Sequence, residues 1–194
     1  MKPMIEKIVE ISIKILVRGG IDRLTMRAIA DELKISATAL YRHISNKRQI
    51  YYQISEHICQ KIKYPQTIND PKEYLIEINS SFRNELLAIK HSASVFGQII
   101  PNSPEHIKFF DKNMEALIAM GIKSPQCFFY VKIINNYIMA SVWDEEFFKD
   151  ILRHKPKGKG VNYYLSHLNN INYEVNFKNG LNAVIDGIIK QYFG

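Results

Sequence analysis

The sequence predicts an all-α protein in two parts, a three-helix N-terminal unit and a larger helical domain behind it. Apolar residues recur at spacings of three and four along most of the 194-residue chain, and no stretch alternates as a strand would. A second observation is Leu24–Lys47, LTMRAIADELKISATALYRHISNK, which reads as two short helices joined by a tight turn with a third helix starting at once. The third is Pro65 followed by the polar run 66–71, which lacks periodicity and separates residues 1–64 from 65–194. With 46% hydrophobic residues the chain has material for a real core.

Taken in order, Met4–Arg18 carries Ile5, Ile8, Val9, Ile11, Ile13, Ile15, Leu16 and Val17, a well-buried helix that Gly19-Gly20 should end. Thr25 suits the N-cap of the next helix, whose apolar positions are Met26, Ile29, Ala30 and Leu33. Ser36 then caps a short helix in which Ala37, Thr38, Tyr41 and Arg42 face outward while Ala39, Leu40 and Ile44 face in. This is helix-turn-helix geometry, in which the second helix is the one that enters a DNA major groove. Asn46 caps a connecting helix, Lys47–Lys63, with Ile50, Tyr51, Ile54, Ile58 and Ile62 on its core face.

In the second part, Lys72–Lys90 is helical through Tyr74, Leu75, Ile78, Phe82, Leu86, Leu87 and Ile89, and a short apolar segment follows at Ala93–Ile100. Ser103-Pro104 and Ser124-Pro125 each place a cap residue before a proline at the first helical position. They open helices expected to reach Met120 and about Leu152, the latter burying Phe128, Val131, Ile134, Ile138, Val142 and Trp143. His154–Gly160 reads as a basic, solvated loop. Val161–Asn169 and a last helix from about Tyr173 to Phe193 close the chain.

Charge is uneven. Residues 1–64 hold 12 Lys and Arg against 6 Asp and Glu, whereas 65–194 hold 14 against 13, so nearly all of the net +7 sits at the N-terminal end. Phosphate neutralisation requires such a basic patch. Cys59 and Cys127 stand alone without CxxC or Cys/His spacing, and the six histidines show no metal-ligand spacing. No GxSxG, HExxH, P-loop or dinucleotide fingerprint occurs. The expectation is a protein that is not an enzyme, with no catalytic residue, metal or cofactor. Charges interrupt the N-terminal apolar residues and no uncharged apolar run of ~18 residues exists, so a cytoplasmic location without membrane contact is expected.

The residues Leu24-Thr25, Ala30, Leu33, Ala39-Leu40-Tyr41, His43 and Asn46-Lys47, in this order and spacing, resemble the DNA-binding domain of the TetR (tetracycline repressor-like) transcriptional regulators. Asn84–Pro101, Pro125–Glu146 and Asn176–Lys190 are similar to the ligand-sensing and dimerisation domain of the tetracycline repressor subgroup, most clearly at Phe177-x-x-Gly180-Leu181-x-x-Val184-Ile185-x-Gly187. The resemblance implies a homodimer on a double-stranded, near-palindromic DNA operator, with Pro125–Leu152 and Tyr173–Phe193 forming the dimer's four-helix bundle.

For the DNA-binding residues the chemistry runs position by position. Arg27 has the side chain for a bidentate guanine contact, and the resemblance places it at a base-reading position; a phosphate contact or a pair with Asp31 is its rival. Thr25 caps its helix and offers a hydroxyl to a phosphate. Ala37 and Thr38 lead the recognition helix, where small residues meet a thymine methyl. Tyr41 and His43 match phosphate-clamping positions, and Lys47 stands at a helix N-terminus suited to a phosphate.

The effector pocket is expected from Phe82, Phe96, Ile99, Phe110, Met114 and Tyr137. Tetracycline-binding members hold magnesium through a histidine at the position of Phe96, and other polar drug-holding positions are Ile78, Ile99 and Ile100 here. No magnesium-tetracycline binding is therefore expected, but rather a repressor released by a small, largely apolar effector. The alternative is a DNA-binding module whose second domain meets a protein or only dimerises.

Overall fold

The computed structural model describes residues 3–67, 69–154, 158–168 and 171–194, and every regular element among them is a helix. In chain order these are α1 (Met4–Arg23), α2 (Met26–Leu33), α3 (Ala37–Tyr41), α4 (Lys47–Cys59), α5 (Pro71–Leu87), α6 (Ser92–Phe96), α7 (Pro104–Ala119), α8 (Ser124–His154), α9 (Lys159–Leu168) and α10 (Tyr173–Phe193). They fall into two compact units. One holds the described residues up to Tyr64 with Ser81–Asn113; the other holds those of Pro65–Ser80 and Met114–Gly194. Both α5 and α7 thus contribute a segment to each.

In the first unit α1 buries Ile8, Val9, Ser12, Ile15 and Leu16, one stripe of a 3.6-residue period, and packs against α2 and α4. Val17 lies off that stripe and is 42% exposed, contrary to its expected burial. The helix also runs past its expected end to Arg23, across a kink at Gly20. There φ is 72°, a conformation that costs glycine nothing and a side chain a good deal.

The next three helices start where the sequence says, because each start is a local hydrogen bond. Thr25 Oγ1 accepts the Ala28 N–H at 3.1 Å, Ser36 Oγ that of Ala39 at 3.1 Å, and Asn46 Oδ1 that of Gln49 at 3.0 Å. Each such cap contributes about 1 kcal/mol. The Gln49 side chain accepts the N–H of Ser45, the residue before the cap, at 2.8 Å, a second bond that fixes the chain's entry into α4. Between α2 and α3, Lys34 takes the left-handed conformation, φ 54°, and its N–H satisfies the end of α2.

Leu40, Ile44, Ile50, Ile54 and Ile58 are at most 1% exposed and form the core beneath α3 and α4. α4 ends at Cys59, short of Lys63, but the turn that follows still buries Ile62 and leads the Lys63 N–H to Ser81 Oγ at 2.8 Å. The apolar segment 93–100 is helical only through Phe96 and leaves Ile100 exposed. α6 packs against α1 and α4.

In the second unit α8 packs on α10. Gly180 allows this: a Cβ there would collide with the Tyr137 side chain, whose ring stacks on Phe177 and whose hydroxyl donates to the Phe177 carbonyl at 3.0 Å. The α8 stripe Cys127, Val131, Ile134, Ile138 and Val142 is fully buried. Phe128 and Trp143, expected inside, lie one position beyond members of that stripe, about 100° round the helix, and are 56% and 47% exposed. Lys72 at the head of α5 meets Asp186 of α10 at 2.6 Å. Of the basic stretch 154–160, residues 155–157 lie outside the described residues; Lys159 and Gly160 open α9 instead of extending a loop.

Candidate functional site

The caps on Thr25 and Ser36 fix where α2 and α3 begin, and burial of Leu40 and Ile44 fixes which side of α3 turns inward. The opposite side follows from helical geometry. Ala37, Thr38, Tyr41 and Arg42 are all exposed, as is His43 just beyond. From α3 and the two residues that follow it, these groups present hydroxyls, a guanidinium, an imidazole and a methyl to solvent, the inventory required to meet phosphates and base edges.

Arg27 on α2 is almost wholly solvated, with its nearest carboxylate, Asp31, at 3.9 Å and itself exposed. That pair is too long and too wet to restrain the guanidinium. Thr25 is exposed beside it while its hydroxyl oxygen caps α2. Lys47 is placed differently: its ammonium donates to the Ile21 carbonyl at 3.0 Å and lies 5.5 Å from the Tyr51 ring centre. It ties the head of α4 to the turn after the α1 kink, leaving two ammonium protons for other acceptors. Arg48, which the motif reading passed over, is exposed at the next position. The sequence carried a signal for it, since a cation in the first turn of α4 opposes the helix dipole.

Phe82, Phe96 and Phe109 form a ring cluster in the first unit. Phe82 stands edge-on to Phe96 at 5.1 Å and tilted against Phe109 at 4.4 Å. Phe109 is 1% exposed, while Phe110, the expected pocket residue, is half-buried, as is Ile99. Met114 and Tyr137 belong to the second unit, both half-buried.

Sequence reasoning missed the buried polar residues. Asn79 and Arg83 share the core face of α5 with Leu75 and Phe82; His106 and Asn113 share that of α7 with Phe109 and Leu117. Continuing the three-and-four spacing through polar residues would have found them. Asn79 donates to the Leu75 carbonyl at 2.8 Å and Asn113 to that of Phe109 at 2.9 Å. His106 is 5% exposed with its ring edge-on to Phe96 at 5.0 Å. Burial pushes its imidazole down to about 4, so it is neutral at pH 7.

A histidine lowered in the folded state binds its proton better when unfolded, so its contribution to stability is complete above pH 6.5 and lost as pH falls toward 4. Denaturant titrations across that window should show wild type losing about 2–3 kcal/mol more than His106→Phe. Equal losses would mean that the imidazole titrates normally. His57, also lowered by burial and by nearby Lys61 against the opposing Glu10 and Glu85, adds in the same direction in both proteins.

Both cysteines are buried and burial raises their thiol pKa values, which removes thiolate chemistry from them at neutral pH. Among the described residues no three His, Cys, Asp or Glu side chains group as metal ligands, and no helix is long and apolar enough to cross a membrane.

A capped helix-turn-helix with a solvated polar face, followed by a purely helical domain, defines a DNA-binding transcriptional regulator. Residues 8–54 match the family described as "Bacterial regulatory proteins, tetR family", and residues 64–192 that described as "Tetracyclin repressor-like, C-terminal domain". The chain therefore belongs to the TetR family of bacterial transcriptional regulators. It is 25% identical over 142 residues to the class G tetracycline repressor of Vibrio anguillarum, covering 72% of this chain and 67% of that one. Its fold is that of Streptomyces coelicolor ActR in complex with actinorhodin (TM-score 0.77, 21% identity, 100% and 99% covered). It is equally that of TetR-Q116A from Acinetobacter baumannii AYE in complex with minocycline (TM-score 0.77, 21% identity, all of both chains covered).

Proposed function

We propose that the protein is a cytoplasmic homodimeric repressor, with residues 1–64 binding a palindromic operator and 65–194 dimerising and responding to a small, largely apolar effector. The observation that carries the DNA reading is the solvated face of α3, whose Ala37, Thr38 and Tyr41 are exposed, as are neighbouring His43 and Arg27 of α2. Arg27 reads a base, Ala37 and Thr38 meet base edges, and Thr25, Tyr41, His43 and Lys47 hold phosphates. Dimerisation through α8 and α10 is supported by Phe128, Phe129, Trp143 and Phe147, which stand 47–62% exposed along α8. Exposed aromatic rows of this kind mark interaction surfaces.

An effector is supported by the neighbours solved with minocycline and with actinorhodin. Phe82 and Phe96 supply rings for an apolar ligand. The hydrocarbon side chains of Ile78, Phe96, Ile99 and Ile100 offer no ligand to magnesium, so a magnesium-tetracycline chelate is not the effector. Release follows if the effector binds the two states of the dimer with different free energies.

A reporter gene placed behind the operator tests the direction of control. Expression should be lower in cells making the protein than in cells lacking it, and Tyr41→Phe should restore part of it. Higher expression with the protein present would make it an activator.

A further inference from the structure

Two buried polar atoms at the start of α7 stand out. Ser103, just ahead of the helix, is 7% exposed, and His106 is 5% exposed; neither Ser103 Oγ nor His106 Nδ1 has a hydrogen-bond partner among the described residues. Being three residues apart across the first helical turn, they fall on one face. The Ser103 hydroxyl does not cap α7. That place is taken by Glu56 of α4, whose carboxylate accepts the Glu105 N–H at 2.9 Å.

The surroundings are aromatic. The His106 ring meets the edge or face of Phe96 at 5.0 Å, and Phe96 in turn meets Phe82 at 5.1 Å. A buried polar group without a partner opposes folding, and native structures retain such a group where something else satisfies it. Here the two groups want a neutral partner: an uncharged imidazole and a hydroxyl, walled by phenyl rings, offer nothing to compensate an ion's lost hydration. A hydroxyl suits both, because it donates to a bare ring nitrogen or accepts from a protonated one, whichever tautomer His106 holds.

We infer that Ser103 and His106, with Phe96 and Phe82, form a subsite for the hydroxyl of an uncharged hydroxylated aromatic ligand. The inference rests on the effector-responsive reading above and names the class of molecule that reading left open. Within the first unit the site is also tied to α4, since the amide of Glu105, between the two polar residues, holds Glu56. A ligand that shifts the first turn of α7 moves that anchor.

Phenol and toluene, which differ by one hydroxyl, are the probes. Titrated into the full chain labelled with ¹⁵N-histidine, phenol should shift the Nδ1 resonance of His106 and bind about tenfold more tightly than toluene. His106→Phe should bring the two affinities together while leaving the fold intact by circular dichroism, and Ser103→Ala should narrow the gap without removing it. Equal binding of phenol and toluene, an Nδ1 resonance already hydrogen-bonded to water and unmoved by phenol, or a preference that survives His106→Phe would overturn the subsite. Those outcomes alongside a recovered operator would leave the repressor reading standing. Phenol selectivity in a protein that enriches no DNA would do the reverse.

Discussion

Raising salt from about 50 to about 200 mM should weaken operator binding by the proposed dimer roughly 10³- to 10⁵-fold, the range for 6–10 neutralised phosphates. The estimate follows from the distribution of charge. Nearly all of the net +7 lies in residues 1–64, and Arg27, Lys34, Arg42 and Arg48 are exposed cations there, which two-fold symmetry doubles. Each releases condensed counterions on meeting a phosphate, so log affinity plotted against log salt should be linear. Arg42→Ala should lower its slope by about two per dimer. A flat plot would mean that the basic end is merely solvated and that binding is not phosphate-led.

Phe82→Ala should lower stability by about 3–5 kcal/mol, a large share of the roughly 5–15 kcal/mol that holds a folded domain together. Phe82 is 1% exposed and touches the rings of both Phe96 and Phe109. Removing it deletes its transfer free energy and opens a hole that two rigid aromatic neighbours fill poorly. Chemical denaturation followed by circular dichroism measures the loss. A cost below about 1 kcal/mol would show that the rings rearrange freely and that the cluster contributes little to holding the fold together.

What was legible in the sequence was local. Thr25, Ser36 and Asn46 announce helix starts because each cap bond spans only three residues, and the outward face of α3 follows once Leu40 and Ile44 are placed inside. What was hidden depends on the orientation of long helices. The α8 stripe through Val131 and Ile138 turns Phe128 and Trp143 outward, although hydrophobicity alone would bury them. The same one-position ambiguity favours Phe109 over Phe110 for the ring cluster. His106 lies on the three-and-four spacing of the α7 core face, but its polarity argues against burial until neighbours from distant parts of the chain close over it. The kink at Gly20 is half visible in the sequence: a glycine pair marks a helix end, whereas here the helix continues to Arg23 beyond the positive-φ residue.

The central claim is that this chain reads DNA as a two-fold dimer through α3 and Arg27. Selection of bound fragments from random-sequence DNA by the purified protein, repeated with Arg27→Ala and Tyr41→Phe, tests it most directly. Wild type should enrich a palindrome with half-sites about one helical turn, roughly 34–36 Å, apart. Arg27→Ala should relax one base position in each half-site, and Tyr41→Phe should weaken all sites alike without changing the sequence. No enrichment at moderate salt, or enrichment of single half-sites without symmetry, would contradict the account.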